Sequence, residues 1–179
     1  MIRLFVAIEL PELLRERVAL LGGGVPGAKW VERDNMHLTL RFIGEVAEDR
    51  VEDIHHGLDR IRQQPFDIAV AGVGVFQQGR HAATLWLGID RNDALTQLHD
   101  KVEQAVQRAG IEPDSRRYTP HITLARLERA PDDRLAAFVA ANNLFRAPAF
   151  AATSFHLFSS FLSSSRAIYT VEADYPLIG

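Results

Sequence analysis

The chain has 179 residues, 47% of them hydrophobic and 24% charged, with a formal net charge of −3 and no cysteine. That composition is globular and excludes disordered and collagen-like classes. It also excludes disulfides, thiolate metal sites and a cysteine nucleophile, suits a reducing cytoplasm, and argues against a protein that grips duplex through many phosphates.

The spacing predicts a strand over residues 3–9, with Leu4, Val6 and Ile8 on one face and Phe5 and Ala7 on the other. This opening turns charged after Glu9 and Pro11, so it reads as part of the fold and not as a signal peptide. No apolar run reaches the ~18–20 residues of a membrane helix. A helix follows over 11–21, opened by Pro11 and ended by Gly22, Gly23 and Gly24, then a short strand at 29–31. Residues 36–42 form a strong strand stopped by Gly44, and 48–63 a helix with Val51, Ile54, Leu58 and Ile61 on one face. Residues 66–76 are β-like but interrupted at Gly72 and Gly74, which points to a bulge or a close backbone contact. A turn at 77–81 returns the chain through a strand at 84–89. Asn92 or Asp93 caps the next helix, striped by Leu95, Leu98, Val102 and Val106 and ended by Gly110. A strand at 119–127, a helix at 131–142, and strands at 150–158 and 168–173 about a serine-rich turn complete the chain. Strands and helices mix, with at least one hairpin and no linker. The expected fold is therefore α+β, one unit over residues 1–179, and not a wholly parallel sheet.

Two segments repeat a pattern. His37-Leu38-Thr39-Leu40 and His121-Ile122-Thr123-Leu124 lie 84 residues apart, each on an expected strand. In a strand, residues i and i+2 share a face. Each segment therefore offers a histidine and a threonine to one side and two aliphatic residues to the other. The aliphatic side is the core side, so the polar quartet opens outward or into a cleft. Imidazole titrates near neutrality, so one ring can accept a proton from water while the other gives one to a departing oxygen. Two threonine hydroxyls can donate to non-bridging phosphate oxygens. This suits in-line displacement at a strained phosphodiester and needs no cofactor. The competing chemistry is a metal site on His37 and His121, which lacks a neighbouring third ligand in the sequence.

The extended segments carry a resemblance. The opening Arg3-Leu4-Phe5-Val6-Ala7-Ile8-Glu9, the stretch Asn35-Met36-His37-Leu38-Thr39-Leu40-Arg41-Phe42, the strand Leu85-Trp86-Leu87-Gly88 and the stretch Tyr118-Thr119-Pro120-His121-Ile122-Thr123-Leu124-Ala125-Arg126 are similar to the two-histidine (2H) phosphoesterases. They resemble specifically the bacterial LigT-type RNA 2′,3′-cyclic phosphodiesterases, or 2′-5′ RNA ligases. The resemblance implies a bilobal α+β fold with pseudo-two-fold symmetry, in which two mainly antiparallel sheets line a central cleft with helices outside. It implies hydrolysis of a 2′,3′-cyclic phosphate on an RNA end or nucleotide to a 2′-phosphate, and an ATP-independent reverse reaction joining tRNA halves. It implies His37 and His121 as acid and base in either order, and Thr39 and Thr123 as phosphate ligands. Arg126 is a further phosphate candidate, although strict alternation from His121 places it on the opposite face unless the strand bends.

Phe5, Tyr118 and Trp30 are candidate base or cleft contacts, since RNA ends are read by stacking. Phe42 shares the Leu38 face by alternation and is expected in the core. Arg116 and Arg117 precede the second motif and are read as a basic pair in a loop. His55, His56, His81, His99 and His156 repeat no pattern. Two other functions remain open at this point: a non-catalytic module that holds phosphorylated RNA ends, and a phosphodiesterase for another cyclic phosphate such as ADP-ribose 1″,2″-cyclic phosphate. The chain is expected to act as a monomer.

Overall fold

The computed structural model describes residues 1–179. Its strands are β1 (Ile2–Glu9), β2 (Ala28–Trp30), β3 (His37–Val46), β4 (Phe66–Ile68), β5 (Val70–Gln78), β6 (His81–Ile89), β7 (His121–Leu127), β8 (Phe150–Ala152), β9 (Ser154–Leu162) and β10 (Ala167–Pro176). The helices are α1 (Glu12–Ala19), α2 (Glu48–Asp59), α3 (Asp93–Arg108) and α4 (Asp132–Asn142), with a 3₁₀ turn at Arg33–Asn35.

One wing of antiparallel strands runs β10-β9-β1-β3, and a second comprises β5, β6 and β7 with β2 also paired to β7. The wings meet where β3 and β7 share a single residue pair, Leu38 opposite Ile122. That pair makes the eight strands continuous; β4 and β8 form a separate two-stranded sheet. Within the wings, β1 against β3 corresponds to β6 against β7. Ile8 faces Leu38 as Leu87 faces Ile122, and Ala7 faces Thr39 as Trp86 faces Thr123. This is the approximate two-fold relation the repeated motif implies. β10 has no counterpart in the second wing.

The core lies on one face of the strands. Leu4, Val6, Ile8, Leu38, Leu40, Leu85, Leu87, Ile122 and Leu124 join the α2 residues Ile54 and Leu58 and the α3 stripe Leu95, Leu98, Val102 and Val106 in one buried cluster. Asn92 caps α3, its side-chain oxygen accepting from the Leu95 amide at 3.0 Å.

Several boundaries differ from the local pattern. β3 does not stop at Gly44 but carries it to Val46 at a φ of 90°, within an irregular register against β1. Only glycine adopts that conformation without strain. The β-like stretch at 66–76 divides into β4 and β5, which join different sheets. Gly72 sits at a φ of 72° beside a register shift. At Gly74 a Cβ would run into the Trp86 indole. β7 begins at His121, because residues 119 and 120 form no ladder. The stretch at 150–158 likewise splits into β8 and β9, and β9 continues to Leu162, so the chain reverses only after it.

Candidate active site

The Leu38–Ile122 pair builds the site. Directly opposed residues in an antiparallel ladder point to the same face, and both of these are fully buried on the core side. Their neighbours His37, Thr39, His121 and Thr123 therefore all project to the other face, and all four are half-buried. His37, Thr39 and Thr123 line a groove of about 470 Å³ together with Asn35, Phe42, Arg126 and Tyr169.

Both strands carry the same irregularity three residues after the histidine. Against β1, Ala7 pairs Thr39 and Val6 pairs Arg41, so Leu40 is skipped. Against β6, Trp86 pairs Thr123 and Leu85 pairs Ala125, so Leu124 is skipped. Each bulge puts two consecutive residues into the interior, Leu40 with Arg41 and Leu124 with Ala125. Alternation then resumes in the opposite phase. Phe42 and Arg126, each five residues after its histidine, return to the groove face. Phe42 is thus 51% exposed and not in the core as alternation alone predicts. Arg126 reaches the groove because the bulge at Leu124 reverses the alternation of its strand.

The two rings are oriented alike. Nδ1–H of His37 donates to the Asn35 carbonyl at 2.7 Å, and Nδ1–H of His121 donates to the Thr119 carbonyl at 2.7 Å. A carbonyl only accepts, so Nδ1 carries the hydrogen and Nε2 is left for chemistry. Asn35 is itself held by donation from Nδ2 to the Ala167 carbonyl at 3.0 Å. His37 packs against Phe5 at 4.8 Å and edge-on to Tyr169 at 5.5 Å. His121 packs edge-on to Phe76 at 4.8 Å. Burial lowers the pKa of both rings, because a low-dielectric setting disfavours the charged form. The two carbonyls partly offset this, and the charge of His121 lowers His37 further. The pair thus resists holding two protons at once.

The candidate contacts fare unequally. Phe5 lines the groove floor but is only 2% exposed, stacked between Phe42 and Phe158 at centroid distances of 6.4 and 5.0 Å. It supports the groove wall, and Phe42 presents the free face. Trp30 is not a cleft residue: its register opposite Ala125 sends it to the core side, where it packs on Phe138 at 5.6 Å. Tyr118 is not one either, because it lies beneath the groove with its ring stacked on His99 at 3.9 Å. Arg116 folds back on Asp114. No three His, Asp or Glu side chains converge in a way that could hold a metal ion, so a site on His37 and His121 lacks a third ligand. Sequence reasoning missed Asn35, Phe76 and Tyr169 as supports of the rings. The repeated two-residue offset from carbonyl to histidine was invisible in it, because the acceptors are backbone atoms.

Two half-related strands that each present His-x-Thr to the same face, with His37, Thr39 and Thr123 lining one groove, define a two-histidine phosphoesterase. The chain belongs to the 2′-5′ RNA ligase superfamily, whose family model matches residues 11–160. It is 35% identical over 130 residues to the RNA 2′,3′-cyclic phosphodiesterase of Archaeoglobus fulgidus, a match covering 71% of this chain and 73% of that protein. It is 30% identical over 175 residues to the RNA 2′,3′-cyclic phosphodiesterase of Aquifex aeolicus, covering 96% and 91%. The crystal structure of E. coli LigT complexed with 3′-AMP is similar at a TM-score of 0.80 and 29% identity over 98% of each chain.

Proposed function

We infer that this chain is an enzyme that hydrolyses the 2′,3′-cyclic phosphate of RNA ends or nucleotides to a 2′-phosphate. The observation that carries the reading is the placement of two imidazoles and two threonine hydroxyls on one face of the sheet around the Leu38–Ile122 pair. The relatives named RNA 2′,3′-cyclic phosphodiesterase support the substrate class.

The groove is asymmetric, which supports one order for the two histidines. Its lining comes mostly from the first wing, where β9 and β10 contribute Ser160, Leu162, Ala167 and Tyr169, whereas His121 lies outside the lining. The nucleoside occupies the lined side, its base against the exposed Phe42 face. His121 on the open side takes a proton from water as the water oxygen bonds to phosphorus. The bond from phosphorus to the 3′ oxygen breaks in line, and His37 protonates that oxygen. Thr39 and Thr123 donate to the non-bridging oxygens, and Arg126 adds positive charge. Each positioned acid or base contributes roughly 10²–10⁴-fold. No step requires a metal ion. With a ribose 5′-hydroxyl as nucleophile in place of water, the same geometry forms a 2′-5′ linkage, which extends the reading to joined RNA ends such as tRNA halves. His37, Thr39, His121 and Thr123 all lie on this chain, which is consistent with a monomer acting as one unit over residues 1–179, and a cysteine-free sequence fits a cytoplasmic location.

The test is turnover of 2′,3′-cyclic AMP in EDTA, with the product resolved as 2′-AMP or 3′-AMP. H37A and H121A should each lose about 10²-fold or more in kcat. Turnover at the parent rate in either folded variant removes that histidine from the mechanism. Tight binding of 2′-AMP by the parent chain without turnover indicates a binding module instead.

A further inference from the structure

One residue pair joins the wings inside the sheet, and beyond Leu38 and Ile122 strands β3 and β7 form no further ladder. A single pair leaves the angle between two sheets open to bending, yet both rings must meet one phosphorus. Two other links cross from β3 to the irregular segment that delivers His121. The Tyr118 hydroxyl donates to the Thr39 carbonyl at 2.9 Å. Arg41 donates through Nη2 to the Glu112 carbonyl at 2.6 Å and grips the Glu103 carboxylate through Nε and Nη2. Glu103 on α3 in turn accepts the Asp114 amide at 3.1 Å. The links leave β3 two and four residues after His37 and land three to nine residues before His121.

Both links are built for rigidity. Tyr118 is held flat on His99, with the ring planes 5° apart, and burial pushes its hydroxyl pKa up, so it stays a donor. The Arg41 side chain is 6% exposed, and its Nη1 also donates to the Phe42 carbonyl at 2.6 Å. A planar five-donor fork can serve three acceptors at once, which a lysine ammonium cannot do in this geometry. Burial alone would raise the Glu103 pKa, but hydrogen bonds from Arg41, Gln107 and Asp114 outweigh it and hold the carboxyl below its ordinary range.

We propose that Tyr118 and the Arg41–Glu103 pair are positioning residues, a two-point brace from β3 to the segment before β7 that sets the distance between the His37 and His121 rings. The proposal rests on those rings being the catalytic pair. Loosening the brace lets the wings part, so acid and base no longer flank phosphorus together. It also weakens the repulsion through which a proton on one ring discourages a proton on the other.

Y118F removes one hydroxyl and keeps the ring on His99. Its kcat should fall about 5- to 50-fold with KM within about threefold, because misplacement of reacting groups costs rate more than affinity. In the free protein, NMR titration of the two imidazoles should show their apparent pKa values drawn closer together. R41M/E103L removes the ion pair without leaving a buried charge, so it should fold and show both changes. R50Q serves as the contrast. It loses the donation from α2 to the Ala109 carbonyl but no link to β3, so it should lower Tm with neither change. Parent-like kcat and titration in both Y118F and R41M/E103L, with only Tm reduced, would overturn the brace. The titration does not depend on turnover, so full activity in H37A and H121A would sink the catalytic assignment while the ring separation could still be read.

Discussion

Replacing Thr39 or Thr123 by valine isolates the proposed clasp on phosphorus. Both hydroxyls face the groove, and Thr39 is tied to the protein through its carbonyl, which accepts from Tyr118. Removing either hydroxyl therefore orphans no buried partner, and stability should change by no more than about 0.5 kcal/mol. A hydrogen bond to a charged group contributes about 1.5–3 kcal/mol. If that interaction is realised in the transition state, each variant loses roughly 10- to 150-fold in kcat/KM. The pseudo-two-fold placement implies losses of similar size for the two. The double variant should lose less than the product of the singles, since both donors act on one phosphoryl group. The assay is initial-rate hydrolysis of 2′,3′-cyclic AMP, with urea unfolding of each variant alongside. A parent-like kcat/KM in either variant would show that phosphorus is not held between the two strands, and the derivation from the Leu38–Ile122 pair would fail.

Burial lowers both histidine pKa values, and the proposed acid–base pair works with one proton between the two rings. The kcat/KM profile of the free enzyme should therefore be a bell centred on the acid side of about 6.5, and an optimum above pH 8 would contradict it. The same shifts affect stability. A ring whose folded pKa is depressed binds its proton more readily when unfolded, so stability is full above about 6.5 and falls as pH drops from there through the folded values. H37A/H121A should flatten that slope in denaturant titrations, and an unchanged slope would place its origin elsewhere. G74A drives a Cβ into the Trp86 indole beside Thr123. It should destabilise by about 1–3 kcal/mol in urea unfolding, and a neutral result would mean the indole relocates freely. F42A should raise KM for cyclic nucleotides about tenfold, through the loss of roughly 1–3 kcal/mol of stacking, with kcat little changed. An unaltered KM would take the base off that ring.

The candidate quartet was legible because its signal is local. A His-x-Thr pair on a strand shares a face whatever the strand pairs with, and the twofold occurrence separates it from incidental histidines such as His55 and His56. The capped helix after Asn92 and its apolar stripe were legible for the same reason. Phe42 and Arg126 were not. Their side depends on bulges at Leu40 and Leu124, which arise from pairing with β1 and β6 and leave no mark on the alternation itself. Trp30 and Tyr118 lie near the motifs in sequence but were turned away from the groove by distant partners, Ala125 in one case and His99 in the other.

Residue order alone therefore nominates the candidate groups and shows that each histidine travels with a threonine, since the period of a β-strand is a property of the backbone. That the two pairs share one face of the sheet is a long-range fact, made by one contact between residues 84 positions apart and by the links around it. Packing of α3 against β3, through Arg41 and Glu103, belongs to the same level. Such pairings are chosen by burial summed over the whole core, and no short window of the chain contains that sum.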